Sequence, residues 1–110
     1  MAFKLAQKPT YSTLVTVMVA NDKGGFDKST FTAEFKRLSA DELQALREEQ
    51  LTNEAVVRRV MVGWKLKDAD TNEDVPFTDD NLTAALQITP TAYQTAQAFW
   101  ECAAGARTKN

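Results

Sequence analysis

TLVTVMVANDKGGFDKSTFTAEFK, residues 13–36, sets the architecture of this chain. Residues 13–20 are rich in Val and Thr, a composition that predicts a β-strand. Residues 21–25 place two adjacent glycines among Asn, Asp and Lys, as is typical of a turn. Residues 27–36 then alternate, so that Phe31 and Phe35 lie on one face and polar side chains on the other. Together these segments predict an antiparallel β-hairpin with an aromatic face.

The first predicted strand is apolar on both faces. One face carries Leu14 and Met18, and the other carries Val15, Val17 and Val19. A strand with two apolar faces is usually covered on both sides. We therefore expect this strand to be covered twice or to lie against a partner.

Two helices are predicted after the hairpin. Ser39 with a glutamate three residues later forms a capping box, which predicts a helix over about residues 40–50. A second helix follows to about residue 61, capped by Thr52 or Asn53. The two could also form one helix bent between them, but Thr and Asn are weak helix formers and favour a break.

The C-terminal half predicts a short strand and two further helices. Residues 64–66 can extend as a strand. An acidic connector follows, with its turn at residues 68–74, and leads to the next helix. Thr78 caps a helix that starts with two aspartates, which the helix dipole favours. Pro90 occupies the first turn of the last helix, and Gly105 ends it. The fold class is therefore α+β: an N-terminal antiparallel hairpin followed by about four helices.

Length and composition predict one soluble domain over residues 1–110, with 44% apolar and 25% charged residues. Residues 1–10 could be a flexible or swapped arm, and residues 107–110 form a polar tail. The longest apolar run, residues 14–20, is far shorter than the roughly 20 residues that span a bilayer, so no membrane association is expected. The first residues show no secretory signal, and the single Cys102 fits a reducing cytoplasm.

The composition of the chain disfavours catalysis, metal binding and nucleic-acid binding. The chain has no histidine, which removes the commonest general base and most zinc sites. Cys102 lacks the partner that activates a thiol, so a packing role is favoured. The net charge is −2, with 13 basic and 15 acidic residues interspersed, so nucleic acid is not an expected partner. We expect no catalytic residue, cofactor or metal.

The acidic connector invites comparison with a calcium-binding loop. Asp68, Asp70 and Asn72 match its first, third and fifth ligand positions. Glu73, however, occupies the sixth position, where a sharp turn requires glycine, and Pro76 falls at the ninth. A solvated connector is the favoured interpretation.

The last helix carries a wide apolar face. Tyr93, Ala96 and Trp100 share one stripe, and Phe99 lies on the neighbouring stripe. Ordinary core packing is the favoured explanation. The alternative is a surface for self-association or for a partner helix.

Several short motifs occur in an order that resembles the tail assembly chaperones of long-tailed, siphovirus-type bacteriophages and prophages. The likeness covers most of residues 31–110. The motifs are the Phe-x-x-x-Phe segment of residues 31–38, Val62-Gly63-Trp64, Pro76-Phe77-Thr78 with Asn81-Leu82, and the closing residues 106–110.

The resemblance implies a non-enzymatic protein of the bacterial host cytoplasm that is absent from the mature virion. Such chaperones bind the tape measure protein, keep it soluble and promote polymerisation of the tail tube around it, which makes the major tail protein a possible second partner. The alternative is a structural minor tail or head–tail joining protein that is retained in the virion.

The family motif assigns no binding residues, so the candidates come from physical reasoning. A chaperone of this kind needs exposed apolar surface, shielded by self-association until its client arrives, so a homo-oligomer is expected. The candidates for partner binding or self-association are Phe31, Phe35, Tyr93, Phe99 and Trp100. The candidates for structural anchors of the connector are Gly63, Trp64, Pro76 and Phe77. The segment Phe3-Lys4-Leu5 could pair or swap between subunits.

Overall fold

A computed structural model describes residues 2–106 and shows a three-stranded antiparallel sheet with four helices. In chain order the elements are β1 (Thr10–Ala20), β2 (Phe26–Lys36), α1 (Ala40–Glu48), α2 (Asn53–Val60), β3 (Met61–Lys65), α3 (Asp79–Leu86) and α4 (Thr91–Ala103). The predicted α+β class and the N-terminal hairpin are confirmed. The predicted polar tail, residues 107–110, lies outside the described residues.

The sheet has the strand order β1-β2-β3, so β2 is central. β1 pairs with β2 from Thr10 opposite Lys36 to Ala20 opposite Phe26, which makes β1 three residues longer at its start than predicted. β3 pairs only with the second half of β2, from Thr32 to Phe35, with a register shift after Glu34. The predicted short strand at residues 64–66 is therefore real but begins at Met61, because the chain turns extended directly after α2.

Local capping explains where the first two helices begin and end. The Ser39 hydroxyl accepts a hydrogen bond from the Glu42 N–H, and the Glu42 carboxylate accepts one from the Ser39 N–H. α1 ends two residues earlier than predicted, because Gln50 adopts a left-handed φ of 52° that no helix continues. Thr52 caps α2, so the predicted break between the helices is confirmed.

Ser39→Ala is expected to lower the free energy of unfolding by about 1 kcal/mol, because the hydroxyl that accepts a hydrogen bond from the Glu42 N–H is lost. The hydrogen bonds from Ser39 hold the pKa of Glu42 below its ordinary value. Because the folded-state pKa is lowered, the ionised Glu42 carboxylate stabilises the fold at pH values above the ordinary pKa of a glutamate. This stability is lost as the pH falls through the folded-state pKa. Urea unfolding should therefore show that Glu42→Ala is less stable than wild type at pH 7 and that this difference shrinks in acid. The loss in Ser39→Ala should depend less on pH, because that variant keeps the Ser39 N–H that donates to the Glu42 carboxylate. A Glu42→Ala difference that is constant with pH would contradict this account.

The start of α4 differs from the prediction by one residue. Pro90 is the N-cap residue rather than a first-turn residue, and the helix begins at Thr91. The Thr89–Pro90 peptide bond is cis, and the backbone of Pro90 lies outside the helical region. Gly105 adopts a φ of 68° just after the helix, which is the conformation that ends helices at glycine.

The core lies between one face of the sheet and the helices. It contains side chains from all three strands and from each of the four helices: Val15, Val17, Phe31, Ala33, Phe35, Leu46, Val56, Val57, Val60, Met61, Leu82, Leu86, Ala96, Ala98 and Phe99. On the opposite face of β1, Leu14 is 50% exposed and Met18 is 38% exposed. This chain on its own therefore covers β1 on one face, and the expected partner for the second face stays a prediction.

Candidate functional site

Three of the aromatic residues predicted to form partner-binding surface are buried. Phe31 is 8% exposed, Phe35 is 0% and Phe99 is 1%. The Phe35 and Phe99 rings meet edge to face with centroids 5.4 Å apart, which joins β2 to α4. All three therefore lie in the core of this chain, which for Phe99 is the packing that its helical pattern favoured, and a role for them in partner binding stays a prediction.

The other two candidates lie at the surface of α4. Tyr93 is 55% exposed. Trp100 is half-buried, with its ring 5.1 Å from that of Phe99 and the Arg47 guanidinium 5.3 Å above it. Trp100 therefore closes the edge of the core under a cation from α1. Of the five candidates, Tyr93 and part of Trp100 remain available to a partner.

Other apolar side chains are exposed outside those five candidates. They are Phe3, Leu5, Leu14, Met18, Phe26, Val62 and Ile88. The apolar second face of β1 was the available signal for Leu14 and Met18. The Met18 N–H donates to the Gln94 side chain at 3.1 Å, so α4 lies beside the outer edge of β1, next to Tyr93. Exposed apolar side chains on β1 and α4 therefore flank one contact between these elements.

Trp64 fixes the acidic connector to the sheet. Its indole N–H donates to the Val75 carbonyl at 2.8 Å. Its ring meets Phe31 with centroids 6.1 Å apart and Phe77 with centroids 5.1 Å apart, both edge to face. The Pro76 carbonyl accepts a hydrogen bond from the Asn81 side chain at 2.9 Å, which fixes the far end of the connector to α3.

Gly63 lies where a side chain would crowd the neighbouring strand. A Cβ atom at this position would be 3.0 Å from the Glu34 carboxylate. That carboxylate also accepts a hydrogen bond from the Thr10 hydroxyl at 2.8 Å, so it joins β1 to β2 beside β3. The glycine leaves room for this cross-sheet contact.

A groove of about 770 Å³ opens where β3 ends and the connector leaves the sheet. We call it the connector groove. It is lined by Leu14, Thr30, Phe31, Thr32, Trp64, Lys65, Leu66, Lys67, Asp74, Val75, Pro76 and Phe77. Its walls are therefore a sheet edge on one side and the folded connector on the other.

The acidic turn of the connector is organised by its own hydrogen bonds. The Asp68 carboxylate accepts from the N–H groups of Asp70 and Thr71, and Lys67 lies 3.5 Å from Asp74. Within residues 2–106, no group of three or more Cys, Asp or Glu side chains could hold a metal ion. The turn closes through backbone pairing of Lys67 with Asp74.

Tyr11 lies against Arg37 and close to Cys102, where its hydroxyl is enclosed and has no hydrogen-bond partner among residues 2–106. Burial, with a smaller contribution from Cys102, raises the pKa of Tyr11 to about 12. Because the folded-state pKa is raised, the associated stability is complete below the ordinary tyrosine pKa and is lost as the pH rises toward 12.

Ultraviolet titration can measure this directly, because the chain has two tyrosines. In a Tyr93→Phe variant, Tyr11 is the sole tyrosine, and we expect its absorbance change near pH 12 or on alkaline unfolding. The reciprocal Tyr11→Phe variant is the control. A reversible change in the folded Tyr93→Phe protein near pH 10 would contradict the burial of the Tyr11 hydroxyl.

The comparison with known proteins decides the family. A family model described as phage tail assembly chaperone matches residues 1–110. The chain belongs to the phage tail assembly chaperone family. This membership confirms the resemblance, and with it the prediction that the chaperone is not an enzyme. No curated protein and no solved structure matches this chaperone significantly. In the part of the chaperone that the structure describes, no helix is both long and apolar enough to cross a membrane.

Proposed function

We propose that this chaperone binds the tape measure protein, keeps it soluble and promotes polymerisation of the tail tube around it. The match of the whole chain to the tail assembly chaperone family carries the proposal. The work is done in the cytoplasm of the bacterial host, and the chaperone is absent from the mature virion. The major tail protein is the second partner, since the tube forms around the bound client.

The surface on β1 and α4 supports binding of an apolar client. Tyr93, Met18 and Leu14 are exposed by 55%, 38% and 50%. Met18 is hydrogen-bonded through its N–H to Gln94, the residue after Tyr93. Exposed apolar surface of this kind is typical of protein-binding sites. A long helical client can offer a matching apolar stripe. Contact between this stripe and the apolar side chains of β1 and α4 removes both from water, which favours binding.

Co-expression with the tape measure protein of the same phage tests this proposal. Wild-type chaperone should keep the client in the soluble fraction. Tyr93→Glu combined with Met18→Glu should lose most of this effect, because two charges enter the apolar contact. Ala84→Glu is the matched control, since Ala84 is exposed on α3. A client that precipitates equally with and without the wild-type chaperone contradicts the proposal.

A structural protein retained in the virion is the rival function. The hairpin favours this rival in one respect. Among the described residues, no strand pairs with the first half of β2 on the side of β3, and an open edge can accept a strand from a neighbour. Mass spectrometry of purified virions separates the two functions. A chaperone should be missing from the virions, whereas a ring component should be present in a fixed ratio to other tail proteins.

A further inference from the structure

The N-terminal arm, residues 2–9, lies outside the helices and strands and exposes two large apolar side chains. Phe3 and Leu5 are each 89% exposed. The base of the arm continues the hairpin, because the Arg37 N–H donates to the Pro9 carbonyl at 2.8 Å and the Arg37 side chain to the Lys8 carbonyl at 3.0 Å. The arm therefore leaves the sheet in a defined direction and offers Phe3 and Leu5, two residues apart, to one side when extended.

The connector groove offers the surface that such an arm needs. The rings of Trp64 and Phe77 line it together with Val75. β3 reaches only as far as Thr32 of β2. Alternate residues of an antiparallel strand direct their backbone N–H and C=O groups to opposite sides. Those of Lys28 and Thr30 therefore point to the side of β2 on which β3 lies, but beyond the end of β3. An extended segment in the groove can bond to this edge.

Charge favours the arm as the occupant. The arm carries Lys4 and Lys8 and no acidic residue, whereas residues 66–80 carry six acidic residues and one lysine. Within the described part of the chain, Asp74 is the one member of those six that forms an ion pair. The groove itself is lined by Lys65, Lys67 and Asp74, and the other five acidic residues of 66–80 lie beyond this lining. The arm and the connector are therefore complementary in charge.

The arm of the same chain is badly placed to enter this groove. Arg37 holds the arm to the sheet as far back as Lys8, and the near end of the groove lies at Leu14, which pairs with Thr32. Six residues of strand separate these points, about 20 Å. The arm would have to reverse direction and run back over that distance, which uses most of the residues that it has. A second copy has no such constraint.

We propose that the N-terminal arm of one copy lies in the connector groove of a second copy. Phe3 and Leu5 lie against Trp64 and Phe77, and Lys4 and Lys8 lie toward the acidic connector. This contact gives self-association a defined surface. It goes beyond the proposed function, because it does not depend on which protein is the client.

Light scattering coupled to size-exclusion chromatography tests the arm in the full chain. Wild type should be larger than a monomer, and Phe3→Glu combined with Leu5→Glu should be monomeric. Folding should be unaffected, because both side chains are exposed. Ile88→Glu is the matched control, since Ile88 is 50% exposed in another part of the surface and its variant should keep the wild-type mass. A monomeric wild type, or an arm variant with the wild-type mass, overturns the proposal.

A synthetic peptide of residues 2–10 tests the groove. The receptor is the Phe3→Glu, Leu5→Glu chain that also carries Trp100→Phe, which leaves Trp64 as the sole tryptophan of the two. The peptide should shift the Trp64 emission saturably, and a peptide with Phe3→Glu and Leu5→Glu should not. Lys4→Glu and Lys8→Glu in the peptide should each weaken binding by about threefold at low salt. Absence of a saturable shift overturns the groove as the site, whatever the client assay shows.

Discussion

Phe99→Ala is expected to lower the free energy of unfolding by about 3–5 kcal/mol, the usual loss when a fully buried phenylalanine is truncated. Phe99 is 1% exposed and meets Phe35 on β2 and Trp100 on α4. Its removal leaves a cavity between the sheet and α4 that close-packed neighbours fill only in part. Because small domains are stable by only about 5–15 kcal/mol, this loss is a large fraction of the total.

Urea unfolding followed by circular dichroism measures this loss. Phe26→Ala is the matched control, because Phe26 is 63% exposed and its truncation should change stability by less than about 0.5 kcal/mol. A Phe35→Ala, Phe99→Ala double variant should lose less than the sum of the two single losses, since the rings contact each other. A loss below about 1 kcal/mol for Phe99→Ala would contradict its assignment to the core.

Trp64→Ala is expected to have the second largest effect, about 2–4 kcal/mol, because Trp64 is half-buried and holds the connector. The substitution removes the ring contacts with Phe31 and Phe77 and the hydrogen bond to the Val75 carbonyl. The connector should then open locally before the rest of the fold, since little else joins it to the sheet.

Amide hydrogen exchange locates this effect. The Val75 N–H donates to the Leu66 carbonyl at 2.9 Å, so its exchange reports whether the connector stays closed. Trp64→Ala should speed that exchange far more than exchange in β1. Trp64→Phe keeps a ring but loses the indole donor, and it should cost about 1–2 kcal/mol. Equal stability of Trp64→Phe and wild type would show that the hydrogen bond contributes nothing.

The hairpin and the capped helices could be predicted because their signals are local. The turn glycines lie between the two strands, and Ser39 lies three residues from the glutamate that completes its cap. Thr78 likewise caps its helix over three residues, because its hydroxyl accepts a hydrogen bond from the Asn81 N–H. Interactions of this range depend on a few neighbouring residues, so the sequence contains all that is needed to recognise them.

The start of β3 and the roles of the aromatic residues could not be predicted in this way. β3 begins at Met61 because Met61 pairs with Phe35, a residue far away in the sequence. The apolar periodicity of α4 shows which stripe is hydrophobic, but it does not say which element covers it. The candidate surface contained Phe99 and Tyr93 on equal terms, and packing buries the first and exposes the second.

The sequence by itself determined the α+β class, the hairpin, the helix caps and the family, because each depends on short-range patterns or on the order of motifs. Only the tertiary structure decided that Phe31, Phe35 and Phe99 form the core, and that Trp64 holds the connector against the sheet. Burial is a property of the elements that pack against a residue. It is therefore settled by contacts between distant parts of the chain and not by the residue's own neighbours in sequence.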